Sequence, residues 1–342
     1  MRLMEKEKTS LSIALDAIRK DYGKEAIMWG NSKQIVNIDV IPSGSLSLDI
    51  ATGIGGIPRG RLVEIFSEES KGKTTLALHI IAEAQKMGLC CSFVDCEHAL
   101  DKRYATAIGV DFDNLLISQP DTAQTTMNII EALLRSGELG VIVLDSVAMM
   151  PSEKEVEEDF SKEEVGSLAK IMSKSMRKLL SLARKSKTSL IFLNQVREKV
   201  SMFGGGGLTT PGGRALRHGA SMRIWLDFAE SPKKSVIRDS NGDPVGLKIR
   251  AEVVKNKLAV PFGEAFYDIK FGKGISRESE LVDLGVMYGV LTKSGAWFRY
   301  KDENIAQGRE NCKKFFAENK NIANELEHEI RIKAGILNHP NT

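Results

Sequence analysis

The sequence has no apolar run approaching bilayer-spanning length, and its first ten residues, MRLMEKEKTS, lack the apolar core of a signal peptide. A membrane-spanning role and export through a leader are therefore not expected. Cysteine is scarce, with four in 342 residues: Cys90, Cys91, Cys96 and Cys312. Two are adjacent and none forms a C-x-x-C pair, which argues against zinc and for free buried thiols in a reducing, cytoplasmic compartment. Excess charge of one sign is also missing. A net charge of +3 is too small to announce a nucleic-acid partner, so any basic surface must be local. What remains is an ordinary globular composition, 42% hydrophobic and 27% charged, in a chain long enough for one large domain plus a smaller one.

Along residues 5–22, Leu11, Ala14, Leu15, Ile18 and Tyr22 recur at helical spacing, with Gly23 as a stop. Such a helix could pack on its own domain or dock on a partner subunit. From residue 60 the pattern alternates strand and helix. LVEIF, CSFVD (91–95), LLIS (115–118), VIVLD (141–145) and SLIFLN (189–194) are short apolar strands, separated by amphipathic helices. That alternation predicts an α/β fold, a mostly parallel twisted sheet covered on both faces. Two stretches interrupt it, the charged EKEVEEDFSKEEVG (153–166) and the glycine-rich SMFGGGGLTTPGG (201–213). Long loops between core elements more often serve a function than not. Residues 280–342 read as a separate small α/β domain.

SEESKGKTT, residues 67–75, follows a strand and opens a helix. In a phosphate-binding loop, successive backbone amides point at phosphate oxygens at the positive end of a helix. Ser67, Glu68, Glu69, Ser70, Lys71, Gly72, Lys73, Thr74 and Thr75 are then the candidate cradle. Lys73 would reach the β- and γ-phosphates of ATP, and Thr74 would hold Mg2+. Ser67 stands where such loops usually have their first glycine, a cost if its φ is positive. Lys71 adds a second cation. VIVLD delivers Asp145 to the carboxyl edge of the sheet as a second magnesium contact, with Ser146 beside it. The strand next to the P-loop ends VDCEH, placing Glu97 where it could polarise a water, and SLIFLN ends in Asn194 and Gln195. A lone acid at a strand end is ordinarily just solvated; three polar strand ends beside a P-loop make an ATPase site.

With these blocks in view, the chain resembles the bacterial RecA family of recombinases. The likeness runs through GKEAIM (23–28), SGSLSLDIATGIGGIPRGRLVEI, FVDCEHALD, DNLLISQPDT, VIVLDSVA, SMRKL, VVKNK, ELVDLGV and GAWF, in one order along nearly the whole chain. The resemblance implies a P-loop NTPase core of RecA type at 35–279, an N-terminal oligomerisation helix within 1–34, and a small duplex-binding domain at 280–342. It implies that Glu97 activates water, that Asp101 and Tyr104 help bind adenine, and that Gln195 senses the γ-phosphate. Lys255 and Lys257 would reach the ATP of a neighbouring subunit. The stretches 153–166 and 197–213 would be two DNA-binding loops, with Lys170, Arg177, Arg197 and Lys199, and the amides of Gly212 and Gly213, on the phosphate backbone. The implied partners are single- and double-stranded DNA, further copies in a helical filament, and a self-cleaving repressor.

The sequence also departs from that family. Besides the P-loop rim, the first loop carries Glu155, Glu157, Glu158, Asp159, Glu163 and Glu164, and the second carries GGGG, Glu198 and Pro211. His218 replaces an aromatic residue, and the chain stops at NHPNT without a long acidic tail, which on electrostatic grounds would ease access to duplex DNA. The leading expectation is a DNA-stimulated ATPase that drives strand exchange. A nucleotide-dependent filament protein with little turnover, and a hexameric helicase of the same superfamily, are the alternatives.

Overall fold

A computed structural model of the protein describes residues 9–24, 26–29, 38–157, 167–198 and 208–337. The chain divides into two compact units, Met1–Asp39 and Val40–Thr342. In the first, helix α1 spans Ser10–Tyr22, with the Thr9 side chain accepting from Ser12 N–H at 3.3 Å and Gly23 stopping it at φ 95°. Periodicity places the start of this helix at residue 5; residues 5–8 lie outside the described residues, and the described helix begins at Ser10 behind the Thr9 cap.

The second unit is built on a ten-stranded sheet. Its principal strands are β1 (Leu62–Ser67), β2 (Cys90–Asp95), β3 (Leu115–Ser118), β4 (Leu139–Asp145), β5 (Ser189–Gln195), β6 (Met222–Phe228), β7 (Pro244–Asn256) and β8 (Glu264–Lys270). Six run parallel, in the order β6-β1-β5-β4-β2-β3. β7, β8 and two short strands extend the β6 side antiparallel. The strand ending VDCEH is thus next to the P-loop strand along the chain but not in the sheet. A parallel crossover need not return beside its start, and this one skips two positions that β4 and β5 later fill.

Alternation along β4 shows why both faces are covered. Val141 and Val143 join a core with helix α3 (Lys73–Lys86), while Ile142 and Leu144 join another with α5 (Ala123–Ser136) and α6 (Ser167–Ser186). All seven residues of β4 are buried, which is why its sequence reads as a continuous apolar run. The same geometry delivers the last residue of each parallel strand to one edge.

Helices α8 (Arg277–Met287), α9 (Arg309–Glu318) and α10 (Lys320–Lys333) and a three-stranded antiparallel sheet follow, around a core that includes Leu281, Phe298, Phe316 and Leu326. Two polar links tie this core to the large sheet through helix α2 (Leu46–Ala51). The Glu280 carboxylate accepts from Ser45 Oγ at 2.6 Å, Ser47 N–H at 2.9 Å and Ser47 Oγ at 2.6 Å, at the amino end of α2. Arg331 pairs with buried Asp49 at 2.8 Å. Burial pushes Glu280 up to about 7 and Asp49 up to about 6, the latter against the pull of Arg331.

Candidate nucleotide site and nucleic-acid loops

The P-loop leaves β1 at Ser67 and enters α3 at Lys73. Ser67 is the last strand residue, fully buried and opposite Gln195 of β5. Its φ is not positive, so serine costs no backbone strain here. The residue that does take the left-handed conformation is Ser70, with φ 59°. Gly72 caps α3 with φ 82°, and a Cβ there would lie 2.5 Å from Ile269 Cδ1. Only glycine suits that position. No side chain caps α3 and its first turn carries no acid. The open amides of that turn, at the positive end of a four-turn helix, are therefore available to an anion.

Lys73 is nearly buried, and burial lowers its pKa against the pull of Asp145, Glu97 and Glu69. Its ammonium donates to Ser67 Oγ at 3.0 Å and to the Glu68 carbonyl at 2.9 Å. Across the loop, Thr74 Oγ1 donates to Asp145 Oδ2 at 2.7 Å. Burial pushes Asp145 up to about 6, with Glu97 and Asp95 raising it further and the Thr74 bond opposing. A hydroxyl and a poorly solvated carboxylate in contact, beside a second acid, are hard oxygen donors that fit a magnesium ion, whose two positive charges would relieve the crowding. Glu97 Oε1 accepts from Ser146 Oγ at 2.5 Å.

An open cleft of about 300 Å³ joins these groups: Glu69, Ser70, Gly72, Lys73, Thr74 and Thr75 from the loop and the start of α3, with Asp145 and Gln195 from strand ends, Glu97 from the turn after β2 and Tyr104 from the helix that follows it. Tyr104 Oη lies 2.8 Å from Thr75 Oγ1. Leu247, Ile269 and Phe271 complete the wall. Sequence reading missed these three. Their only signal is that two later strands are apolar, and nothing in the sequence says those strands fold back over the P-loop. Asp95 was missed as well: its carboxylate accepts from the amides of Ala99 and Leu100 at 3.3 and 3.2 Å and from Gln119 at 3.1 Å, shaping the turn that presents Glu97.

Several expected residues lie elsewhere. Asp101 is not in the cleft wall; its carboxylate caps α4 (Lys102–Ile108), accepting from the Arg103 and Tyr104 amides at 2.7 and 3.3 Å. Lys71 turns its ammonium away from the loop, to Asp227 Oδ1 at 2.9 Å and over the Phe228 ring at 3.3 Å. It is not a second phosphate cation as placed. Glu68 also stands outside the cleft wall, its side chain 3.7 Å from Lys71.

Lys255 and Lys257 are separated from the cleft. β7 runs antiparallel to β6, so Lys255 pairs with Arg223, which in turn sits opposite Glu64 of β1. Glu64 precedes Ser67 by three positions, about 10 Å at strand rise. Lys255 Nζ donates to the carbonyls of Arg217 at 2.6 Å and His218 at 3.2 Å, and Lys257 Nζ to that of His218 at 2.9 Å. Burial lowers the Lys255 pKa, with Lys257 and Arg223 adding to the effect.

Of the first loop, residues 158–166 lie outside the described residues. Glu155 is a helix cap: its carboxylate accepts from Ser152 N–H at 2.6 Å while Ser152 Oγ accepts from Glu155 N–H at 3.2 Å. Lys170 and Arg177 are exposed on α6, with Lys174 between them on the same stripe. In the second loop Arg197 is exposed, donating to the Ala148 carbonyl at 3.4 Å, and Lys199 lies outside the described residues. Gly212 and Gly213 have φ 86° and 74° and start helix α7 (Gly213–Gly219). A Cβ on Gly213 would meet Ala169 Cβ at 3.0 Å, so Gly213 serves the packing of α7 on α6, while one on Gly212 would meet Leu216 and Val147 at 3.2 Å.

Fold and site together define a P-loop nucleotide-binding protein of α/β class. The comparisons narrow this. The family model for the RecA N-terminal domain matches residues 9–276, and that for the RecA C-terminal domain matches residues 279–335. Protein RecA of Clostridium acetobutylicum is 50% identical over 331 residues, 96% of this chain and 93% of the relative. Protein RecA of Caldanaerobacter subterraneus subsp. tengcongensis is 49% identical over 329 residues, covering 96% and 94%, and that of Campylobacter lari is 45% identical over 331, covering 96% and 94%. The chain belongs to the RecA family. Its function is recombination and DNA repair, with ATP and DNA as ligands.

Proposed function

We propose that the chain is a DNA-stimulated ATPase that assembles head to tail on single-stranded DNA, pairs it with homologous duplex and promotes strand exchange. The observation that carries this reading is the convergence of Lys73, the Thr74–Asp145 pair, Glu97 and Gln195 on one cleft at the carboxyl edge of the sheet. Bound magnesium would be held by Thr74 and Asp145 and would neutralise the β,γ-oxygens of ATP. Glu97 would orient the attacking water and Lys73 the γ-phosphate. Gln195 ends β5 only two residues before Arg197, so a change in its contacts passes directly into the second loop. Phe271 and Tyr104 give the base an apolar wall and a ring edge.

Lys255 and Lys257 are too far from their own cleft to act there, which supports a role on the ATP of an adjoining copy. Lys170, Arg177, Arg197 and Lys199 would hold the DNA backbone, and the amides of Gly212 and Gly213 would reach it only if the α7 start shifts. The residues 280–342 would gather duplex DNA. A self-cleaving repressor as partner rests on family likeness alone. The test is ATP hydrolysis by the full chain with and without single-stranded DNA. DNA should stimulate hydrolysis, and Lys73→Ala should abolish it; an unstimulated rate that Lys73→Ala does not change overturns the reading.

A further inference from the structure

Ser67 does something glycine could not. Its hydroxyl donates to the Glu68 carbonyl at 2.5 Å, which commits its proton, so the lone pairs face the Lys73 ammonium at 3.0 Å. The Glu68 carbonyl supplies a second acceptor at 2.9 Å. The chain itself thus satisfies two of the three ammonium donors in a position where Lys73 is only 9% exposed. A phosphate oxygen must replace or share those partners, and charge-assisted hydrogen bonds are the stronger kind.

We propose that the Ser67 hydroxyl is an internal competitor with phosphate for Lys73, a positioning residue that weakens nucleotide binding relative to glycine at this position. The inference rests on the nucleotide-binding reading above. Two features make serine the competitor rather than a neutral replacement. Its backbone is ordinary strand, in register with Gln195, so the side chain is its only new property. It is also fully buried, so water does not compete for the hydroxyl.

The experiment is MgADP binding to the full chain by calorimetry, for the natural sequence, Ser67→Ala, Ser67→Gly and Lys73→Ala. Both Ser67 variants should bind about 3- to 10-fold more tightly, and equally, because both remove the hydroxyl. In DNA-stimulated hydrolysis the fall in KM should exceed any change in kcat, since the competition acts on binding; a merely structural loss would lower kcat and melting temperature together. Unchanged or weaker binding in Ser67→Ala overturns the proposal, as does tightening confined to Ser67→Gly, which would trace the effect to backbone freedom. If the natural chain and Lys73→Ala bind MgADP equally, or neither binds it, the nucleotide reading itself fails, and the proposal with it.

Discussion

The two ends of the β1–β6–β7 strand group are opposites in charge. At the carboxyl end, Glu69, Glu97 and Asp145 surround a cleft whose one inward cation among the described residues is Lys73, because Lys71 is drawn off to Asp227 and Phe228. Toward the amino end, Arg217, Arg223, Lys255 and Lys257 gather, and among the described residues Arg223 is held by Glu64 at 2.6 Å. Arg217 Nε, buried, has no hydrogen-bond partner among the described residues. Lys255 and Lys257 spend their ammonium groups on neutral carbonyls. Among the described residues, one end offers a triphosphate a single cation, and the other holds two lysines that face carbonyls rather than an anion. Two copies stacked head to tail would answer both needs, a heterologous contact that generates a filament.

The sharpest way to break that comparison is complementation. Glu97→Gln alone and Lys255→Ala/Lys257→Ala alone should each lose about 100-fold or more in DNA-stimulated hydrolysis. Mixed in equal amounts, they should recover about a quarter of the natural rate, because a quarter of the junctions then join an intact cleft to intact lysines. No recovery would put both functions in one subunit.

A smaller effect concerns stability at the acidic end. Asp145 titrates near 6 in the folded chain against 3.8 ordinarily, so the folded state binds the extra proton and stability falls as pH rises from about 4 to 6. Asp145→Asn should therefore stabilise the nucleotide-free chain at pH 7 by on the order of 2–3 kcal/mol, and the gain should vanish below about pH 4. Thermal unfolding at both pH values checks it. A destabilised variant at pH 7 would mean that the Thr74 bond outweighs desolvation.

The smallest effect tests Lys71. Lys71→Met keeps the stem but removes the ion pair to Asp227 and the contact with Phe228, and should lower stability by about 1 kcal/mol. MgADP affinity should change less than in Lys73→Ala by a wide margin. A comparable loss of affinity would show that Lys71 swings into the cleft after all.

The sheet was legible because five of the six parallel strands end an apolar stretch in a polar residue, as VIVLD and SLIFLN do, whereas β6, MRIWLDF, does not. Three polar groups of the cleft were legible for the same reason: Asp145 and Gln195 end strands and Glu97 follows the end of β2 by two residues, positions that can be read from sequence. Lys71 was not, since its destination lies 156 residues away on β6. Leu247 and Ile269 are ordinary strand residues, and Phe271 the residue after β8, until β7 and β8 fold beside the loop. Asp101 caps α4 with its carboxylate, a use that the family likeness did not announce.

Glu280 and Arg331 give the last sixty residues a hold on α2 that sequence boundaries hide. A chain ended before residue 277 would leave the Ser47 amide without its carboxylate and Asp49 buried beside no guanidinium. An uncompensated interior charge of that kind is among the more damaging losses a protein can suffer. Trimming the tail back to the sheet would therefore injure the body built on the ten-stranded sheet as well as delete a lobe, and a nonsense mutation that late would behave as a folding defect.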